Sequence, residues 1–449
     1  MEIGIVVSGA TISSIPVQIY RHAERHAQEE QMVAVKDVDT GITIVGFLRR
    51  ITKLEPIVRD KVRTPFVDRP EMLEYSVLLP YTTAVVKPYV EVAEDRVKEV
   101  EHVPTPGSKV FLLRGGPPVA VPQDRAGFVG AHKYSGWEMP LDLGYITHHV
   151  GVFGATGMGK SRLVRALVEE LAKRGLRIVI FDHTGVDYAP YYDNVVKSSE
   201  IKIPPNVLAS VIAKMADLPW QSYGEYLEIA TMTFEGQWSK DAFVAHVKRT
   251  MKRLNARDTT VERVELFIKH FIDPQFFADL NSRGKTPADV LSSRQPVAVD
   301  LSWDRELAVK QAIVASVIEE AWAEVRRAKE PRPTVFVIDE AQNYAPSDWA
   351  ISKDAIETTA REGRKWGLSL ILASQRIAGD IDPSIRANLG TVFFSRVTAP
   401  TDLREISAYL DLADVNEGVL AQLQPREFFV VGLMNPLRRP VLLKIREVK

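Results

Sequence analysis

Residues Gly154–Ser161 read GATGMGKS, set between an apolar run at Val150–Phe153 and a helical apolar spacing at Leu163, Leu167 and Leu171. A strand that ends in G-x-x-x-x-G-K-S and runs straight into a helix cradles phosphates. The glycines bring backbone N–H groups onto phosphate oxygens, the lysine faces the β and γ phosphates, and the hydroxyl ligates Mg2+. Lys160 and Ser161 therefore predict a site for ATP and Mg2+, framed by Gly154, Ala155, Thr156, Gly157, Met158, Gly159 and Arg162. The fold is constrained with it, because such a loop belongs at the carboxyl edge of a parallel sheet covered by helices.

The 449 residues carry 57 Lys and Arg against 58 Asp and Glu, a formal net charge of −1. With no global basic field, a nucleic-acid partner requires a local basic patch or channel. The absence of cysteine excludes disulfides, thiolate catalysis and Cys-based metal sites. No apolar run approaches the roughly 18 residues needed to span a bilayer. Met1, Glu2 and Ile3 also lack the basic start of a secretory signal. A cytoplasmic protein with no membrane partner is expected.

Composition shifts near residue 105. Before it, short β-branched runs at Glu2–Val7, Gly41–Gly46, Tyr75–Leu79 and Thr83–Val86 alternate with turn residues and predict a small β-barrel over residues 1–105. Pro and Gly at Val103–Gly107 and Gly115–Pro118 mark a connector over 106–146. Residues 147–449 read as an α/β ATPase core with a parallel sheet. Its strands are expected near His149–Phe153, Arg177–Phe181, Val297–Asp300, Thr334–Ile338, Leu368–Ala373 and Thr391–Phe394, with a helical insertion at about 204–274.

A phosphate loop alone does not choose between kinase, GTPase and motor; a second acidic site does. The apolar run Val335–Ile338 ends in Asp339 and Glu340. Alternation along a strand would turn Asp339 to the Mg2+ and Glu340 to an attacking water, the arrangement of an ATPase with a catalytic glutamate. Gln375 follows the run Leu370–Ala373 and either senses the γ phosphate or caps the strand. Asp182 ends another apolar run, as a partner of the nucleotide site or as a helix cap. Arg361 and Arg364 share a helix face near its C-terminus. They either complement the helix dipole or reach a neighbouring subunit's γ phosphate as an arginine finger. Lys248, Arg249, Lys252, Arg253 and Arg257 form a basic helical row that either tracks phosphates or is a solvated face. His148 and His149, beside the first core strand, are expected to pack or hydrogen-bond rather than bind metal.

Taken together, GATGMGKS, VIDEAQNYAP, REGRKWGLSLILASQR, Leu423–Gly432 and the run Pro440–Arg446 resemble the HerA family of the HerA/FtsK superfamily. The likeness covers nearly the whole chain and is specific from Thr147 onward. It implies a RecA-like core behind an N-terminal barrel and a homo-hexameric ring moving on double-stranded DNA. A NurA-type nuclease as partner in end resection and recombinational repair is implied as well. Position by position, it implies that Lys160, Ser161, Asp339, Glu340 and Gln375 form the ATP machinery, with Arg361 or Arg364 acting in trans. Two departures stand out. The stretch Asp182–Asp187 differs from the Pro-His-Gly-Glu-like sequence expected there, and Met158 replaces the usual serine. The rival readings are a packaging or conjugative-transfer ATPase of the same superfamily, a protein-remodelling ATPase, and a nucleotide-switched interaction protein that does not act as a motor.

Overall fold

In the barrel strands, β-branched residues alternate with polar ones, and in a computed structural model this alternation points one set of side chains inward. The structure describes the chain apart from residues 56–57, 59–64, 70, 72–79, 94–95, 377–378, 398–400, 403, 405–414 and 449. The strand expected at Tyr75–Leu79 lies outside the described residues. Two units emerge: Met1–Leu143 joined by Phe393–Glu447, and a second built on Gly144–Val392.

The first unit contains β1 (Glu2–Val6), β2 (Ile15–Ile19), β3 (Met32–Lys36), β4 (Thr43–Leu54), β5 (Tyr81–Ala93), β6 (Arg96–Lys98) and β7 (Lys109–Leu112). They run in the order β2-β1-β7-β3-β4-β5-β6, and a further pairing of β2 with β5 closes six of them into an antiparallel barrel. Ile3, Ile15, Val17, Val33, Val35, Ile44, Leu48, Val86 and Val110 fill it. Closure needs a kink, and β4 supplies one where its register on β5 shifts between Val45 and Gly46. A Cβ at Gly46 would lie 2.2 Å from the Lys87 carbonyl oxygen, so only glycine fits. The boundary at 105 is one strand short: β7 follows the Pro-Gly punctuation and fills the place between β1 and β3. The same unit holds β8 (Ala126–Gly127) paired with β10 (Leu141–Asp142). It also holds an antiparallel set of β9 (Gly130–His132), β19 (Val441–Ile445) and β18 (Glu427–Gly432). By compactness these closing strands fall in the first unit.

One polar cluster is sealed inside this unit. Glu30 and Arg49 are 0% and 1% exposed and form two bonds of 2.7 and 3.0 Å. Arg49 also donates to the Tyr89 hydroxyl, which donates in turn to the Pro440 carbonyl. His132 Nε2 donates to the Glu30 carbonyl at 3.1 Å. Glu30→Gln would leave the guanidinium buried without its counter-charge, a loss of about 3–5 kcal/mol. Native-state hydrogen exchange of the β3 and β4 amides in the full chain should show it as lost protection; unchanged protection would mean the pair is dispensable.

The second unit is a parallel sheet. Its strands are β11 (Val150–Phe153), β12 (Arg177–Asp182), β13 (Val195–Lys197), β14 (Val297–Asp300), β15 (Thr334–Ile338) and β16 (Leu368–Ser374), in the order β13-β14-β12-β15-β16-β11. β17 (Thr391–Phe394) carries the chain out of this unit. The expected core strands are present, and β13 adds a short strand that the apolar pattern did not mark. His149 is not in a strand: it has a φ of 61° and accepts the Leu370 N–H at its Nδ1, and burial pulls its pKa down to about 4. Helices Lys160–Ala172, Leu307–Ala328 and Lys353–Glu362 pack within this unit, the last two joined by a Trp322 Nε1 bond to Thr359.

The helical insertion runs from Pro205–Met215 to Pro287–Leu291, past the expected end at 274. Pro274 opens a helix instead of ending one. It stands at the first helical position behind an Asp273 cap, where a missing N–H removes no hydrogen bond. The helix carrying the basic row ends at Arg253, so Arg257 belongs to the next turn.

Candidate active site

Parallel pairing fixes which residues meet. Phe153 is level with Ser374, Ile338 with Leu372, and Phe181 with Ile338, so the C-terminal tips of β11, β16, β15 and β12 lie side by side. The residues that follow those tips are Gly154, Gln375, Asp339 and His183. Sheet order thus brings together acids and amides that lie up to about two hundred positions apart in sequence.

The loop after β11 turns through Gly157 and Gly159, with φ of 79° and 92°, a conformation that side chains with a Cβ rarely adopt. It delivers Lys160 and Ser161 to the first turn of the Lys160–Ala172 helix, whose leading N–H groups have no partner within the helix. The Lys160 ammonium donates to the Gly154 carbonyl at 2.9 Å across the loop. Burial lowers its pKa, against the pull of Glu340, Asp339 and Asp187. Met158 is buried, 4% exposed, while Thr156 and Arg162 are exposed.

Asp339 and Glu340 lie just beyond the end of β15, so strand alternation is not what separates them. Glu340 adopts a left-handed conformation, φ 46° and ψ 50°, so the backbone turns sharply where the two carboxylates stand. Asp339 is 4% exposed, and its Oδ2 is buried without a hydrogen-bond partner among the described residues. Burial pushes its pKa up to about 8, with Glu340, Asp187 and Asp182 adding repulsion. Glu340 is held by two amides. Gln342 Nε2 donates to its Oε2, while Gln375 Nε2 lies 3.4 Å from both oxygens. Gln342 in turn accepts from the Ser374 hydroxyl at 2.9 Å, which ties the glutamate to the tip of β16.

Of the two roles expected for Asp182, the geometry fits a partner of the site that acts through the loop it holds. Its Oδ1 accepts from the N–H groups of Thr184 and Gly185, and its Oδ2 from those of Tyr188 and Ala189. It folds the loop after β12 onto the site rather than capping a helix. That loop supplies Asp187, which the sequence reading passed over. Asp187 Oδ1 accepts the Ser161 hydroxyl at 2.8 Å. Asp182, Asp187 and Asp339 each present an oxygen within 4.8 Å of one another. A Mg2+·nucleotide fits this set of residues: Ser161, Asp339 and Asp187 would hold the cation, and the loop's N–H groups and Lys160 would hold the phosphates. The cation supplies charge neutralisation at the phosphates.

The arginines lie elsewhere. Arg361 is 66% exposed and pairs with Glu357 on its own helix at 3.6 Å, and Arg364 is exposed on the following turn. In the basic row, Lys248 is bound to Glu265 at 2.9 Å and Lys252 stands 3.9 Å from Asp258, whereas Arg249 and Arg253 remain exposed. Among the described residues, no helix is long and apolar enough to cross a membrane.

The comparisons agree with the motifs. The family description "Helicase HerA, central domain" matches residues 128–321. The DNA double-strand break repair helicase HerA of Sulfolobus acidocaldarius is 25% identical over 99% of this chain and 93% of its own. Its counterpart from Sulfurisphaera tokodaii is 24% identical with the same coverage. Among solved structures, VirB4 of Thermoanaerobacter pseudethanolicus aligns with a TM-score of 0.54 at 17% identity, covering 73% of this chain and 98% of that one. The plasmid coupling protein TrwB in complex with ADP and Mg2+ aligns at 0.52 with 15% identity, covering 69% and 88%. The fold is that of a P-loop ATPase behind a β-barrel, and the chain is HerA-like along nearly its whole length.

Proposed function

We propose that this HerA-like chain is an ATP-driven translocase on double-stranded DNA. It works as a homo-hexameric ring, with a NurA-type nuclease as its partner at DNA ends. The observation that carries the reading is the convergence of Lys160, Ser161, Asp339, Glu340 and Gln375 at one sheet edge, with a glutamate held by two amides. A phosphate switch needs the loop and the metal ligand; a motor also needs a base for water and a device that reports the γ phosphate. Ser374, Gln342 and Gln375 connect Glu340 to the adjoining strand, so a change at the phosphate has a route into the sheet. Likeness to HerA over 99% of this chain favours a repair translocase over a conjugative ATPase, since VirB4 and TrwB share the fold over 73% and 69% of it and at lower identity.

Ring formation is tested by the particle mass of the full chain with an ATP analogue and linear duplex DNA. A six-chain particle is expected. A monomer under every condition would overturn the ring, and with it any role for Arg361 or Arg364 in trans.

A further inference from the structure

The loop after β12 does more than border the phosphate site. Asp182 spends both oxygens on four backbone N–H groups, and the consequence is positional: Asp187 and Tyr188 are pressed against the phosphate loop. Asp187 meets the Ser161 hydroxyl at 2.8 Å, and its other oxygen accepts from Thr184 at 3.2 Å. Asp339, whose Oδ2 is buried and without a hydrogen-bond partner among the described residues, belongs to the same group of carboxylates within 4.8 Å. A second observation points to a ligand there. Tyr188 is fully buried, its hydroxyl makes no hydrogen bond of good geometry among the described residues, and it lies beside Ser161 in the field of Asp339, Asp187 and Asp182. A buried hydroxyl and a buried carboxylate oxygen left without partners at one point mark a place where a further group completes the bonding. Hard oxygen donors of this kind suit Mg2+ or Mn2+, which keep several of their waters, and a bound water gives the Tyr188 hydroxyl its partner.

We propose that Asp187 and Asp339 hold a divalent cation before nucleotide arrives, so that the site is charged with metal in the resting protein and ATP joins a cation already in place. This rests on the reading of the site as an Mg2+·ATP site. It goes beyond that reading in one respect: nucleotide is not required. Asp182 is a positioning residue, because its oxygens are committed to the loop. Ser161, whose hydroxyl now lies on Asp187, is within reach of the same cation.

The test is a titration of the nucleotide-free full-length chain with Mn2+, in which free Mn2+ is read by electron paramagnetic resonance. About one Mn2+ per chain is expected. Asp187→Asn, equal in shape and still able to accept from Ser161, should weaken binding by about tenfold or more, in the range seen when groups around a metal are altered. In parallel, Mn2+ alone should raise the melting temperature of the natural chain but not that of the variant. If the natural chain binds no Mn2+ without nucleotide, or if Asp187→Asn binds as tightly, the proposal is wrong. The first of these outcomes does not depend on how the variant folds. Binding of a fluorescent ATP analogue in the presence of Mg2+ separates the two readings. If the analogue binds while Mn2+ alone does not, only this proposal falls; if the analogue fails to bind, the nucleotide site itself is wrong.

Discussion

Glu340→Gln is expected to bind ATP with near-natural affinity and to hydrolyse it about 10²–10⁴ times more slowly, the usual contribution of a positioned general base. The amide keeps the shape and the left-handed turn at residue 340, and it still bonds to Gln342 and Gln375 after reorientation. What it loses is the capacity to take a proton from water. Single-turnover hydrolysis beside equilibrium binding of an ATP analogue separates the two functions. If binding falls together with turnover, Glu340 is a metal or structural ligand and the division of labour with Asp339 is wrong. The same test on Asp339→Asn should give the opposite pattern, with Mg2+-dependent binding lost first, because Asp339 belongs to the group of carboxylates that could hold the cation.

The second large effect concerns the arginines. An arginine that reaches across a subunit interface is worth about 10³–10⁵ in rate. Arg361→Ala or Arg364→Ala, whichever removes the finger, should reduce hydrolysis by that order while leaving ATP bound. Both side chains are exposed, and among the described residues Arg361 pairs with Glu357, four residues earlier, at 3.6 Å. Such a pair contributes only about 0.3–0.5 kcal/mol, too little to hold the side chain against a phosphate. Mixing the inactive arginine variant with inactive Lys160→Ala chains should restore some hydrolysis, since certain interfaces then join an intact loop to an intact arginine. In an ATP-analogue-bound ring, both guanidinium groups far from every phosphate would leave helix-end stabilisation as their role.

The parts of this molecule that could be read from sequence are those encoded locally. β11, β12, β14, β15 and β16 each announce themselves as an apolar, β-branched run, because a strand buried on both faces tolerates little else. The glycines of the phosphate loop are equally plain, since Gly157 and Gly159 sit at φ values that few residues adopt. Features that depend on partners brought from afar stayed hidden. Asp187 joins the site only because Asp182 gathers four N–H groups and folds the intervening loop, and no spacing rule marks an acid placed that way. Gln342 lay in plain view within VIDEAQNYAP, yet its role comes from Ser374, thirty-two positions later. β7 was lost behind Pro and Gly punctuation, and the helical insertion runs on past Pro274, which begins a helix. Local chemistry was legible here, and the assembly of distant pieces was not.

Steady-state ATP turnover by the full chain in Mg2+, with and without linear duplex DNA, tests the central claim most directly, with Lys160→Ala as the blank. A DNA-driven motor predicts hydrolysis that rises as duplex DNA is added and is absent from the blank, which lacks the ammonium facing the β and γ phosphates. Turnover that ignores DNA, or a Lys160→Ala chain that hydrolyses ATP as well as the natural one, would contradict it.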